Sequence, residues 1–222
     1  MVNDNGSFQI VAKTSFGLED VLIEELKALG VKEWEKGNRA VTFSGNKEML
    51  YRANLWLRTA SRLIVPFKEF DIQSDDDLYQ KVKALDWESL FNVDQTFAID
   101  ATVFSPLYSH SKYAAVKSKD AIADRFRAKF DQRPNVDTDN PDIRISLHIS
   151  VENRCTVSLD SSGDPLFKRG YRDSMSLAPM KEDLAAGLIL LSGWDKESNF
   201  IDLMCGSGTL LLTFRSNLSK VN

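Results

Sequence analysis

The chain has 222 residues, 43% hydrophobic and 27% charged, with a formal net charge of −4, enough to bury one large core or two modest ones. Its longest apolar runs, 188–191 and 210–212, are far shorter than the roughly 20 residues that span a bilayer. The polar first seven residues lack the pattern of a signal peptide, and Cys155 and Cys205 have neither metal spacing nor a disulfide framework. The expectation is a cytoplasmic protein with no membrane span and no metal, and because the charge balance is acidic, binding of nucleic acid would require locally concentrated basic residues.

Residues 8–13 (FQIVAK) are a short apolar run, and Leu18, Val21, Leu22, Leu26 and Leu29 follow at helical spacing. Ser15 is the expected cap of that helix and Gly30 its expected stop. Two short strands, 31–34 and 40–43, are expected around the turn Lys36-Gly37-Asn38. A helix near 47–55 and a strand near 63–67 complete the order βαββαβ, the ferredoxin-like plan, which hosts many functions.

A polar break at 71–77 opens a second unit, with a helix through Leu78, Val82 and Leu85 and a strand in which Phe97, Ile99, Ala101 and Val103 alternate with other residues. Residues 112–130 read as one long helix, with Ala115, Ile122 and Phe126 on one stripe and Lys117, Asp120 and Asp124 opposite. Ile143, Ile145, Leu147, Ile149 and Val151 alternate with Arg144, Ser146, His148 and Ser150, as a strand with one buried face requires. Glu152-Asn153 turns the chain into a partner strand carrying Cys155, Val157 and Leu159.

Residues 161–180 hold two glycines and two prolines and read as a linker, followed by a helix over 182–191. A short strand, Phe200-Ile201-Asp202, is expected to run into Cys205-Gly206-Ser207-Gly208-Thr209 and then a helix. A strand, a glycine turn and a helix let backbone N–H groups approach a nucleotide or nucleoside closely. Leu211 occupies the position where a dinucleotide fingerprint wants Gly or Ala, and no Gly-Lys-Ser/Thr of a P-loop is present. Adenosylmethionine, with no phosphate to cradle, suits a shorter turn behind an acidic strand end; a mere tight turn is the plain alternative.

The run Leu166-Phe167-Lys168-Arg169-Gly170-Tyr171-Arg172 packs three cations and two aromatics into seven residues, which suits phosphate contacts with base stacking. Composition alone favours a solvated linker. Lys112, Lys117 and Lys119 lie beside Tyr113, and Lys112 and Lys119, a heptad apart, share a helix flank. They could follow a phosphate groove or simply form an exposed face. His110 and His148 have no partner at metal or catalytic spacing and are expected to be packing or surface residues.

Over nearly the whole chain these residues resemble the bacterial THUMP-containing methyltransferases that modify guanine N2 in 23S ribosomal RNA. FQIVAKTSFGLEDVLIEELKALG is similar to that family's ferredoxin-like domain, HSKYAAVKSKDAI to its THUMP segment, and DPLFKRGYR with APMKEDLAAGLI to the junction into its catalytic domain. DLMCGSGT resembles its cofactor loop, usually D-P-x-C-G-S-G-T.

The resemblance implies an α+β fold: a ferredoxin-like domain (1–68), a THUMP α/β domain (69–165), a linker (166–180) and the first elements of a Rossmann-like methyltransferase domain (181–222). It implies that Asp202, Cys205, Gly206, Ser207 and Gly208 line an S-adenosylmethionine site. Lys112, Tyr113, Lys117 and Lys119, with Lys168, Arg169, Tyr171 and Arg172, would meet RNA, and it turns the reading of KRGYR from linker to RNA contact. Leu203 departs from the usual proline, and after Leu212 the sequence TFRSNLSKVN no longer resembles the family. The Asn/Asp-Pro-Pro-Tyr/Phe loop that holds the target base is not found in the 222 residues. The expectation is therefore a methyltransferase by family with no catalytic residue of its own here, inactive alone, and poorly stable after about residue 181, where a strand and a helix cannot cover a parallel sheet. The rival readings are a stand-alone RNA-binding module and a nucleotide-dependent oxidoreductase, the latter disfavoured by Leu211.

Overall fold

The computed structural model describes residues 6–168, 180–195 and 197–218. Contacts divide the chain into two compact units, one spanning Ile64–Gly163 and the other joining Val2–Leu63 to Asp164–Asn222.

The joined unit begins with β1 (Phe8–Thr14), α1 (Glu19–Ala28), β2 (Trp34–Lys36), β3 (Ala40–Gly45), α2 (Lys47–Trp56) and the opening residues of β4 (Ala60–Asp71), with strands in the order β2-β3-β1-β4. β3 runs antiparallel to both β1 and β2, so that Ile10 faces Phe43 and Ala12 faces Val41. The inward residues of β1 and β3 meet Leu22 and Leu26 of α1 and Ala53 of α2 in one core, as the period-2 and helical patterns require.

Ser15 does not cap α1. Leu18 occupies the cap position without a side-chain bond, and the Glu19 carboxylate instead accepts from the Gly17 and Arg39 N–H groups, each at 2.9 Å. Gly30 does end the helix: at φ +96° it donates to the Lys27 carbonyl while Val31 donates to that of Leu26, a Schellman closure. That closure commits Val31, which is buried, and β2 therefore starts at Trp34 rather than at residue 31.

Later residues return to this unit. The Leu166 N–H donates to the Ser61 carbonyl at 2.8 Å, and its side chain packs on the same core. α5 (Glu182–Leu191) buries Ala185, Ala186 and Ile189 and contacts α1, and α6 (Thr209–Leu218) lies against α5. The start of the third predicted unit is thus packed rather than left without a partner.

The other unit contains the remainder of β4, α3 (Asp75–Ala84), a 3-10 turn at Trp87–Ser89, β5 (Phe97–Val103), α4 (Ser111–Phe130), β6 (Ile143–Ile149) and β7 (Arg154–Asp160). Its strand order is β4-β7-β6-β5, with β5 and β6 parallel and the other pairs antiparallel. The parallel pair requires a long crossover, which α4 provides. Pro66, which has no N–H to donate, sits where the β4–β7 register shifts.

Leu78, Val82, Ile122 and Phe126 of α3 and α4 pack onto Phe97, Ile145, Leu147 and Val157. Trp87 is fully buried and donates its indole N–H to the Val82 carbonyl at 2.7 Å. The stripe of α4 is set by Ala114 and Ser118 rather than by the expected Ala115, because the helix presents its 114–118–122 edge to the sheet. Val151 is not in β6: Ser150 and Arg154 close a turn there, and Val151 is 64% exposed.

Candidate functional site

The glycine loop is built by local hydrogen bonds. Asp202 Oδ1 accepts from the Met204 N–H at 3.0 Å, and the Gly208 N–H donates to the Cys205 carbonyl at 2.7 Å. Gly206 and Gly208 take φ +52° and +73°, the left-handed region that side chains disfavour. A Cβ at either would meet nothing within 4 Å, so backbone conformation, not space, selects glycine. The Gly208 carbonyl accepts from Leu212 and opens α6, and the Ser207 hydroxyl lies 3.2 Å from that of Thr209.

The five expected loop residues therefore form one turn leading into a helix N-terminus, whose first N–H groups have no intrahelical acceptor. Asp202 is half-buried and Cys205 exposed. This arrangement supplies backbone donors close to an acidic side chain, without a cation, which fits a nucleoside with hydroxyl groups better than a polyphosphate. The expected strand 200–202 is not formed. Phe200 packs edge-on to Trp194.

On α4 the expected RNA residues fall into two kinds. Lys112 and Tyr113 are exposed. The other two lysines have protein partners: Lys119 Nζ is 2.6 Å from Asp120, and Lys117 Nζ lies 5.4 Å over the Tyr79 ring. Lys83 approaches the same ring at 5.5 Å, and the Tyr79 hydroxyl donates to Asp124 at 2.7 Å. That bond to a carboxylate, with partial burial, pushes the phenol up to about 12. Sequence reading missed Tyr79; its spacing of four from Lys83 put them on one face of α3, but nothing local showed that α4 would complete the cluster.

Lys168 is exposed, 3.8 Å from Asp164. Arg169, Tyr171 and Arg172 lie outside the described residues. His110 precedes α4 without a side-chain cap bond, and the His148 ring lies 5.7 Å from that of Phe104, tilted by 55°. Among the described residues no group of three or more His, Cys, Asp or Glu could hold a metal, and no helix is long and apolar enough to cross a membrane.

Three family models match in succession: the RlmL ferredoxin-like domain at residues 9–64, the THUMP domain at 73–160 and the RMKL-like methyltransferase domain at 169–213. Segment by segment, the chain is similar to THUMP-containing methyltransferases. It is 44% identical over 200 residues to the ribosomal RNA large subunit methyltransferase K/L of Syntrophotalea carbinolica, covering 88% of this chain and 28% of that relative. Among solved structures, SMU.472, a methyltransferase by name solved in complex with SAH, is 32% identical with a TM-score of 0.80, covering 96% of this chain and 56% of that one. A predicted N6-adenine-specific DNA methylase from Listeria monocytogenes is 31% identical at the same TM-score, over 96% of this chain and 55% of its own. This THUMP-containing chain therefore spans between about a quarter and just over half of these relatives.

Proposed function

We propose that the chain is the RNA-docking part of an S-adenosylmethionine-dependent methyltransferase acting on 23S ribosomal RNA at guanine N2, in the cytoplasm. Residues 69–165 form its THUMP domain, after a ferredoxin-like domain at 1–68 and before a linker at 166–180 and the first methyltransferase elements at 181–222. The observation that carries this reading is the run of the three matched domains along one chain, ending in the two left-handed glycines of the Asp202–Gly208 turn.

In this reading Asp202, Cys205, Gly206, Ser207 and Gly208 hold the cofactor, which supplies an electrophilic methyl group when bound. The Asp202 carboxylate suits a hydroxyl donor, and the loop N–H groups suit acceptors on the nucleoside. RNA meets Lys112 and Tyr113 first, with Lys117, Lys119, Lys168, Arg169, Tyr171 and Arg172 around them. Transfer to an exocyclic amine also needs the base extruded and aligned with the methyl group, and none of the assigned residues does this. The test is a paired assay of the 222-residue chain: salt-dependent binding to 23S RNA fragments, and transfer of labelled methyl from the cofactor. Binding without transfer supports the proposal; turnover, or affinity unaffected by salt, overturns it.

A further inference from the structure

At one end of the Ile64–Gly163 unit, β5 and β6 finish side by side at Val103 and Ile149, and the chain crosses to α4 through residues 104–110. Phe104 is 61% exposed there, yet the loop that carries it is firmly held. The Phe104 N–H donates to the Ile149 carbonyl at 2.9 Å, which extends the ladder by one bond. Ser105 is buried; its hydroxyl donates to Asn153 Oδ1 at 2.5 Å and accepts from the Leu107 N–H at 3.0 Å. Tyr108 is also buried, with its ring 6.3 Å from that of Tyr113 in the first turn of α4. A large aromatic side chain held in water by an anchored backbone gains nothing for the fold and marks a contact surface.

The neighbours of Phe104 narrow the kind of ligand. The His148 ring lies 5.7 Å away, tilted by 55°, and braces one side of the phenyl group while most of its surface stays in solvent. His148 is paired in the sheet with Thr102 of β5 and Thr156 of β7, so imidazole and hydroxyl groups adjoin the ring. A flat apolar face bordered by hydrogen-bonding groups suits a planar ligand with polar edges, which is the chemistry of a nucleobase. At the far end of the loop, α4 has no acidic residue in its first turn, and Lys112 is exposed there. Carboxylates are also close: Glu152 accepts from the Ser150 hydroxyl at 2.8 Å, and Asp75 lies near Tyr108. Affinity at this end therefore comes from the ring rather than from net charge.

We propose that Phe104 stacks an unpaired base of RNA, with His148 at the edge of the base and Lys112 on a phosphate of the same strand, so that this end of the unit selects single strands over duplex. In a duplex each base is already covered on both faces, and only a splayed or terminal base can offer one to Phe104. This selection rests on the RNA reading of the THUMP unit and adds to it the form of RNA that docks.

Fluorescence anisotropy with the 222-residue chain tests it, using an unstructured RNA strand, a blunt duplex of the same length, and a series of strands each lacking one base. The native chain should bind the strand more tightly than the duplex. Phe104→Ala should weaken strand binding about fivefold or more, the loss of one stacked base, with the salt slope unchanged because no phosphate contact is removed. Phe104→Leu, which keeps an apolar side chain without a flat face, should weaken it similarly, and Phe104→Trp should preserve it; all three should melt like the native chain. At one position, removing the base should cost the native chain about as much as Phe104→Ala does, and the two changes together should cost little more than either alone. Native affinity in Phe104→Ala, equal weakening on strand and duplex, or fully additive losses at every position would overturn the proposal and leave the RNA reading standing. A native chain that binds neither strand nor duplex would overturn the RNA reading and the proposal with it.

Discussion

A Cβ placed on Gly187 would lie 2.5 Å from both methyl carbons of Leu18. Leu18 is buried at the start of α1, so this contact fixes how closely α5 approaches that helix. Gly187→Val should destabilise the protein by about 1–3 kcal/mol, the usual cost of overpacking, although glycine is a poor helix former. Urea unfolding measures the loss, and adding Leu18→Ala should recover part of it. If the double variant is no better than the single, the contact is not the cause.

Glu88 gives a pH prediction. Its carboxylate accepts from Arg125 Nε and Nη2, each at 2.7 Å, and from Lys129 Nζ. The Arg125 bonds, with Lys129 adding to them, hold it far below the usual carboxylate range. A folded pKa below the unfolded one means that the contribution is complete above about pH 4.5 and is lost as pH falls through the depressed value. Glu88→Gln should therefore reduce stability at neutral pH, with the gap to the native chain closing on acidification. Parallel stability curves down to strongly acidic pH would contradict the assignment.

On the proposed RNA surface, the partners of the α4 lysines rank the expected effects of substitution. Lys112→Glu should weaken binding and reduce the salt slope by roughly one counterion. Lys119→Glu combines loss of a cation with release of Asp120 and should weaken binding at least as much in net charge, but it should also lower the melting temperature. Tyr113→Ala should cost about 1–3 kcal/mol if a base stacks on the ring. Filter binding across a salt series separates the three, and a Lys112 variant with native slope would move the surface elsewhere.

At the proposed cofactor loop, Gly208→Ala puts a side chain where φ is +73°, a strain of about 1 kcal/mol or more. Calorimetry should show weaker binding of the cofactor product to the variant, while Ser207→Ala, which keeps the backbone geometry, should change affinity less. The reverse order would mean that the hydroxyl, not the turn, holds the ligand.

Elements whose pattern is local were legible in the sequence. α5 runs from Glu182 to Leu191 as its acidic first turn and apolar run require, and β6 and β7 follow the alternation of Ile145, Leu147 and Val157. The misread positions depend on distant partners. Ser15 loses the cap role because Glu19 bonds Gly17 and, from far along the chain, Arg39. Residues 200–202 have strand character in sequence yet are not in a strand. The loop glycines were readable because φ above zero leaves few residue choices, whereas the sharing of Tyr79 by two lysines needed both α3 and α4 in place.

The unit spanning Ile64–Gly163 enters and leaves through neighbouring positions: Ile64 pairs with Asp160 in the β4–β7 ladder. In covalent terms it is an insertion within the sequence of the other unit, whose final helices are synthesised only after the insertion is complete. On the ribosome the inserted unit can close as soon as β7 emerges, while α1 waits for α5 with its Leu18 side exposed. The same adjacency means that the segment could be excised and the chain rejoined by a short turn, yielding the discontinuous unit as a separate protein.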